Sequence, residues 1–113
     1  MKKSEINFTI SLDEQNIPER IQWNATDQPG ELSESRAISL SVWDQEQRNT
    51  LRIDLWTKEM PVDEMKRFAI DTLGGLAQSI LTATGDTFMS DEVNQLCDRL
   101  VQHVEEEKNS EKS

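Results

Sequence analysis

The side chains best able to form a nucleophile and base pair are the thiol of Cys97 and the imidazole of His103, the only cysteine and histidine of the chain. A Cys–His pair requires the two groups within hydrogen-bond distance. Both fall in a predicted helix, six positions apart, so they project about 240° apart around its axis. We therefore predict no catalytic residues. Cys97 is interpreted as a small core residue, and His103 as a favourable contact at the C-terminal end of the helix dipole.

Patterns typical of metal and cofactor sites are also missing from the sequence. One cysteine and one histidine cannot complete a structural zinc site, and no Asp-rich loop has the calcium-binding spacing. Gly74-Gly75 lies inside a predicted helix, whereas a phosphate-binding loop lies between a strand and a helix. None of the 22 acidic residues has a recognisable apolar setting that would shift its pKa. We expect no metal and no cofactor, and we predict that the protein is not an enzyme.

Charge and composition limit the partners and the compartment. The formal net charge is −10, with no cluster of Lys and Arg, which argues against nucleic acid and against an anionic membrane surface. A lone cysteine cannot form an internal disulfide, which fits a reducing compartment. No apolar run reaches the length of a signal peptide or a membrane span. We expect a cytoplasmic protein without membrane insertion.

The first half of the sequence alternates apolar and polar residues, the period of a strand with one buried face. Closing a turn at 13–16 gives a first hairpin that pairs Leu12 with Ile17, Phe8 with Ile21 and Ile6 with Trp23. Closing a turn at 44–49 gives a second hairpin that pairs Val42 with Leu51, Leu40 with Ile53 and Ile38 with Leu55. Pro18 lacks a backbone N–H, so its strand lies at a sheet edge or begins there. Between the hairpins, the polar segment 24–35 with Pro29-Gly30 predicts an irregular loop.

The second half has the three- and four-residue spacing of helices. The first predicted helix begins at Pro61 and stops at Gly85, and its apolar stripe is broad enough to contact the second helix or another subunit besides the sheet. Gly74-Gly75, in its middle, either kinks the helix or lets a neighbouring backbone approach closely. Ser90 is the predicted N-cap of the second helix, whose apolar face continues to Val104.

These elements predict an α+β protein: a four-stranded antiparallel sheet made of two hairpins, followed by two helices packed on one face, in the order ββββαα. The predicted domain covers residues 1–104. Residues 105–113 are charged and lack an apolar anchor, so they are predicted to be a disordered tail.

The candidate binding surface is the face of the second hairpin that carries polar side chains. Trp43 and Trp56 lie at opposite ends of this face, with Arg52 and Asp54 between them. Tryptophan and arginine are enriched in binding hot spots, which favours a partner-binding role for these four residues. The competing interpretation is that each tryptophan only covers its local sheet edge, or that the loop 24–35 folds over both.

Several blocks of the chain resemble the GldC family of gliding-motility proteins. They are NIPERIQWNATD at 16–27, SVWD at 41–44, LRIDLWTK at 51–58 and MPVDEMKRF at 60–68, with Gly74-Gly75 downstream. The resemblance runs from about Lys2 to His103. It implies a soluble accessory protein of gliding bacteria of the Bacteroidetes, and it brings no catalytic residue or cofactor with it.

We therefore predict a non-catalytic cytoplasmic accessory protein of gliding motility that acts by binding another protein. Self-association is compatible with this prediction, because an open antiparallel sheet has edges that can pair. The alternative is a small-molecule-binding domain or enzyme with a pocket between sheet and helices near Gly74-Gly75, which requires a cavity lined by polar groups there.

Overall fold

The computed structural model describes residues 1–111, without the side chains of residues 28, 29, 31 and 111. The chain forms five strands and then two helices: β1 (Ile6–Leu12), β2 (Pro18–Ala25), β3 (Gln28–Ser35), β4 (Ala37–Asp44), β5 (Asn49–Trp56), α1 (Val62–Thr84) and α2 (Thr87–Glu111). The strands belong to a compact unit that ends at Met60, and the helices belong to a second unit that begins at Pro61.

The predicted α+β class is confirmed, but the prediction of four strands in one sheet is wrong. The strands form a three-stranded antiparallel sheet, in the order β1-β2-β3, and a two-stranded sheet, β4-β5. The additional strand is β3, which occupies most of the predicted loop 24–35. Its backbone pairs with β2, and Glu34 accepts hydrogen bonds from Arg20 and Gln22 on β2. An edge strand gains these bonds without an apolar side-chain pattern, and for this reason the sequence pattern missed it.

The β1–β2 hairpin forms where predicted, but its register differs by one residue at Leu12, which lies opposite Pro18 and not Ile17, and by two residues from Ile6 to Ser11. Phe8 lies opposite Trp23 and Ile10 lies opposite Ile21, so the predicted Phe8–Ile21 and Ile6–Trp23 pairs are wrong. The turn explains part of the shift, because the Asp13 carboxylate accepts the backbone N–H groups of Gln15 and Ile17. A bulge after Ser11 supplies the rest. Side chains alternate with period two, so this shift leaves the apolar residues on one face.

Pro18 is the first residue of β2, which lies in the centre of its sheet. The interpretation that its strand begins at the proline is therefore confirmed, and the interpretation that the strand lies at an edge is wrong. The only large side chain that is fully buried within the described residues is Ile21, on the same strand.

The β4–β5 hairpin has the predicted register throughout. Val42 lies opposite Leu51, Leu40 opposite Ile53 and Ile38 opposite Leu55. Its turn is closed by Asp44, whose carboxylate accepts the N–H of Gln47 and whose carbonyl accepts the N–H of Arg48. We call the aliphatic side of this hairpin the inner face and its opposite side the outer face.

Helix α1 ends at Gly85, as predicted, but it begins at Val62, and Pro61 is its N-cap and not its first helical residue. Asp63 and Glu64 lie in its first turn, where negative charge complements the helix dipole. Gly85 adopts the left-handed conformation, with φ of 71°, and its N–H donates to the carbonyl of Leu81. The helix is continuous through Gly74 and Gly75, and a Cβ atom at either position would meet no atom within 4 Å. The predicted break is therefore wrong, and the glycines make no close approach to a neighbour.

Helix α2 begins at Thr87, so the prediction that Ser90 is its N-cap is wrong. The capping oxygen belongs to Asp86, whose carboxylate accepts the N–H of Met89 at 3.0 Å. Ser90 is buried instead, and its hydroxyl donates to the carbonyl of Ala77 at 3.0 Å. The helix continues to Glu111, so residues 105–111 of the predicted disordered tail are helical, while 112–113 lie outside the described residues.

The two helices are joined along a seam with three polar contacts of different kinds. Besides the Ser90–Ala77 bond, the Cys97 thiol donates to the carbonyl of Ile70 at 3.8 Å. Near the start of α1 and the end of α2, the Lys66 ammonium contacts the Glu107 carboxylate at 2.8 Å. This ion pair joins α1 to a residue of α2 that lies beyond Val104, where the apolar pattern stops.

We predict that Ile21→Ala lowers the free energy of unfolding by about 3 kcal/mol, the usual loss for truncating a buried aliphatic side chain. Unfolding in urea, followed by the fluorescence of the three tryptophans, measures the change because all three lie on strands. Ile53→Ala is the matched control, since Ile53 is half-exposed and its truncation should lower the free energy by less than about 1 kcal/mol. Equal effects of the two substitutions would contradict the assignment of the core.

We also predict that Gly74→Ala raises the free energy of unfolding by about 0.5–1 kcal/mol, because alanine favours the helix and has room here. Gly85→Ala should lower it by about 1 kcal/mol, because alanine is strained at positive φ. Thermal unfolding followed by far-UV circular dichroism distinguishes the two. A loss of stability with Gly74→Ala would mean that the helix needs glycine at that position.

Candidate functional site on the outer face of the hairpin

The outer face of the β4–β5 hairpin is a strip of eight side chains in four cross-strand pairs. These pairs are Ala37 with Trp56, Ser39 with Asp54, Ser41 with Arg52, and Trp43 with Thr50. Because side chains alternate along a strand, all eight project on the side opposite the aliphatic inner face. The structure therefore places the four predicted site residues, Trp43, Arg52, Asp54 and Trp56, on one surface.

The two tryptophans are the largest exposed side chains of this strip. Trp43 is 65% exposed and Trp56 is 52% exposed. Trp43 lies opposite Thr50, which is six residues from Trp56, so the two indoles stand about 20 Å apart along the strands. This separation is too large for both rings to enclose one small molecule.

The centre of the strip is a closed set of hydrogen bonds around Arg52. Its guanidinium donates to the hydroxyl of Ser41 at 2.6 Å, to the hydroxyl of Ser39 at 3.0 Å and to the carboxylate of Asp54 at 2.9 Å. The Ser39 hydroxyl in turn donates to Asp54 at 2.9 Å. These hydrogen bonds restrict the rotamers of the Arg52 side chain.

This network also sets the protonation state of Asp54. The hydrogen bond from Arg52, followed by that from Ser39, lowers the pKa of the carboxyl below its ordinary value of 3.8. Asp54 is therefore a carboxylate at neutral pH and a poor proton donor. Together Arg52 and Asp54 contribute no net charge, so the strip is a neutral surface on a chain of net charge −10.

A shallow concavity of about 210 Å³ adjoins the Trp56 end of the strip. Its lining includes Trp56, Asp54, Pro18 and Lys58. Lys58 is held in place by Asp13 and Glu19, each at 3.1 Å. Its backbone N–H donates to the carbonyl of Pro18 at 3.0 Å, which joins the end of β5 to the start of β2.

Cys97 and His103 have separate contacts within the helical unit. Cys97 is half-buried and contacts Ile70, whereas the exposed His103 lies 3.4 Å from Glu107. Because α2 continues to Glu111, His103 is not in its last turn, and the predicted dipole contact is replaced by an i,i+4 contact with a carboxylate. Among residues 1–111, no three His, Cys, Asp or Glu side chains are grouped closely enough to hold a metal ion.

The sequence pattern did not indicate Ser39 and Ser41 as part of the site. They fix the orientation of Arg52 and complete the hydrogen bonds of Asp54. The register of the hairpin could have indicated both serines, because Ser39 lies directly opposite Asp54 and Ser41 lies directly opposite Arg52.

The fold and the strip define an α+β protein with a preorganised aromatic and polar surface on one of its two antiparallel sheets. A family model described as gliding motility-associated protein GldC-like matches residues 18–106, well over half of the chain. The chain belongs to this family, which confirms the resemblance and associates the protein with gliding motility. No curated protein and no solved structure matches the chain. Neither described helix combines the length and apolar character required to cross a membrane.

We predict that an NMR titration of the Asp54 carboxyl carbon has its midpoint below 3.8, and that Arg52→Gln moves it up towards that value. Arg20→Gln is the matched control, because Arg20 lowers the pKa of Glu34 and does not contact Asp54. The folded-state pKa is the lower one, so the network contributes stability above the unfolded value of about 3.9. That contribution is lost as the pH falls through the folded-state pKa. An unchanged Asp54 titration in Arg52→Gln would contradict the network.

Proposed function

We propose that the protein is a non-catalytic accessory of the gliding machinery that binds another protein through the outer face of the β4–β5 hairpin. The observation that carries the proposal is the pair of exposed tryptophans, Trp43 and Trp56, separated by the ordered Arg52–Asp54 pair. Family membership supports the cellular process, and the geometry of the strip supports the mode of action.

A protein partner fits the dimensions and composition of the strip. A tryptophan side chain buries about 150–250 Å² when covered, so two of them, about 20 Å apart, span the width of a typical interface core. The ordered arginine between them offers donors that need not be reoriented. The neutral charge of the strip lets a partner of either sign approach without direct repulsion from it.

The proposal that the protein acts without catalysis is supported by the positions of its most reactive groups. Cys97 contacts a backbone carbonyl in the helix seam, and His103 contacts Glu107. Asp54 is held as a carboxylate by Arg52. The free thiol of Cys97 also fits the reducing cytoplasm, the compartment we propose for the protein.

We predict that Trp43→Ala with Trp56→Ala abolishes most of the function while the protein stays folded. The test replaces the gene in a gliding bacterium with this double variant and measures colony spreading and the speed of single cells. Tagged protein from the same strains is purified after crosslinking in the cell, and the recovered partner is quantified by mass spectrometry. Loss of one hot spot of 2 kcal/mol corresponds to about a 30-fold weaker complex, so recovery should fall by at least 10-fold.

Phe88→Ala is the matched control, because Phe88 is an aromatic side chain of 70% exposure that belongs to α2 and is not part of the strip. It should leave both gliding and partner recovery at the level of the native protein. Circular dichroism of each purified variant establishes that the fold is retained. Normal gliding and normal recovery with the folded double tryptophan variant would refute the proposed surface.

A further inference from the structure

Strand β1 lies at one edge of the three-stranded sheet, and within the described residues β2 is the only strand that pairs with it. The hydrogen bonds to β2 determine which backbone groups of β1 point outwards. The N–H of Thr26 donates to the carbonyl of Glu5 at 3.0 Å, so Glu5 bonds towards β2. Because bonding alternates along an antiparallel strand, the N–H and carbonyl groups of Ile6, Phe8 and Ile10 point away from β2.

These outward groups form a free pairing edge. The other strands are assigned to the two sheets, and none of them pairs with the outer side of β1. The backbone groups of α1 and α2 bond within their own helices, so the helical unit supplies no strand for this edge. A strand from a second molecule is the element that can bond to all of the outward N–H and carbonyl groups at once.

The sequence of β1 lacks the residues that normally block a free edge. Residues 6–12 contain no charge, no proline and no glycine, and the strand is regular from Ile6 to Ser11. The opposite edge of the same sheet is different, because β3 contains Pro29, which lacks an N–H, and Gly30, whose φ is 143°. Natural sheets protect exposed edges with such residues, so the composition of β1 indicates an edge that is used for pairing.

Positive charge precedes β1 and negative charge follows it. Lys2 and Lys3 make no ion pair within the described residues. The turn after β1 carries Asp13, which contacts Lys58 at 3.1 Å, and the exposed Glu14. An uncharged strand with a basic start and an acidic end is complementary to a second copy of itself when the two run antiparallel.

Hydrogen bonds hold the basic start in line with the strand. The N–H of Glu5 donates to the hydroxyl of Thr26 at 2.9 Å, and the hydroxyls of Ser4 and Thr26 bond to each other at 3.0 Å. The Ser4 hydroxyl also donates to the carboxylate of Asp27 at 3.1 Å. The chain is therefore held against the end of β2 from Ser4 onwards, directly after Lys3.

The free edges of the β4–β5 hairpin have no comparable unused charges. The Asp44 carboxylate closes the turn of that hairpin by accepting the N–H of Gln47. Arg52 and Asp54 of β5 bond to each other on the outer face. The edge of β1 is therefore the one whose flanking charges are left for a second molecule.

The outward-bonding residues select the register of this pairing. They are Ile6, Phe8 and Ile10 in the regular part of β1, so a two-fold axis at Phe8 uses all three on each copy. Phe8 then lies opposite Phe8 of the second copy, and Ile6 lies opposite Ile10. This arrangement forms about six backbone hydrogen bonds and places apolar side chains in cross-strand contact.

Charge selects the same register. With the axis at Phe8, the basic segment 2–3 of each copy lies opposite the acidic segment 13–14 of the other. An axis one residue later, at Thr9, would instead place Glu5 opposite Asp13. Opposite charges across paired strands are favourable and like charges are unfavourable, so the axis at Phe8 is preferred.

We propose that two copies of this chain pair antiparallel through their β1 strands, with the two-fold axis at Phe8. The two three-stranded sheets then become one continuous sheet in the order β3-β2-β1-β1-β2-β3. The interface is isologous, so each substitution acts twice. Strand β1 belongs to a different sheet from the strip of the β4–β5 hairpin, so this proposal and the proposed function are tested separately.

The first test measures the mass of the full chain by sedimentation equilibrium, at concentrations up to about 1 mM, the dissociation constant of a weak complex. The native protein should form a reversible dimer of twice the chain mass of 13.0 kDa. Asn7 lies opposite Thr9 of the second copy in this register. Asn7→Glu with Thr9→Glu therefore places like charges opposite each other and should raise the dissociation constant about 10-fold or more.

Asn7→Glu with Thr9→Lys is the matched control, because it changes the same two positions but places opposite charges across the axis. It should dimerise at least as tightly as the native protein. Asn7→Lys with Thr9→Lys reduces the net negative charge of the chain, yet it should also weaken the dimer, because like charges again face each other. Circular dichroism of each variant establishes that the fold is retained.

The second test determines the register. Asn7→Cys and Thr9→Cys are prepared separately in a Cys97→Ser background and mixed under mild oxidation. The two variants should form an interchain disulfide with each other, because these positions form a non-hydrogen-bonded pair whose Cα atoms lie about 4.5 Å apart. Either variant alone should crosslink much less.

A native chain that stays monomeric up to about 1 mM overturns the proposal. A folded Asn7→Glu, Thr9→Glu variant that dimerises as tightly as the Asn7→Glu, Thr9→Lys variant also overturns it. Thr9→Cys that crosslinks alone as efficiently as in the mixture would place the axis at Thr9 and refute the register. A mixture that forms no interchain disulfide would refute it as well.

Discussion

The alternation of side chains along extended strands is the constraint on which the sheet unit of this protein depends. It sorts the β4–β5 hairpin into an aliphatic inner face and an outer face with two tryptophans, an ion pair and two serines. The same alternation keeps the apolar face of the β1–β2 hairpin intact when the turn shifts the register, because a two-residue shift leaves every side chain on the same face. The face of the sheet on which a side chain lies is therefore specified more strongly than the residue opposite it on the neighbouring strand.

The outer face shows how the side chains of a small acidic protein can order a mixed aromatic and polar surface. Its large apolar groups stand at the ends, and its polar groups satisfy one another in the middle. Arg52 needs support from both serines and from Asp54, since a free arginine would lose several rotatable bonds on binding. Exposed ion pairs contribute little to stability, so this arrangement serves the order of the surface more than the fold.

In the helical unit, side chains are sorted into faces by the period of the α-helix. One seam of α1 is occupied by α2, where Ser90 and Cys97 make hydrogen bonds to carbonyls of α1. Small side chains such as Ala77 allow that close approach. The two glycines of α1 leave the helix continuous.

Sequence alone determined the features that depend on local periodicity and on turn chemistry. The register of β4–β5, the end of α1 at Gly85 and the common face of Trp43, Arg52, Asp54 and Trp56 all follow from spacing and from residues that close turns. Tertiary structure decided what depends on distant partners. Strand β3 exists because β2 offers it a backbone edge, and Ser90 is buried because Ala77 lies beside it. The C-terminal turns of α2 gain Lys66 as an ion-pair partner 41 residues away. Backbone pairing and long-range ion pairs produce no periodic pattern in the sequence, so they can be identified only in the folded chain.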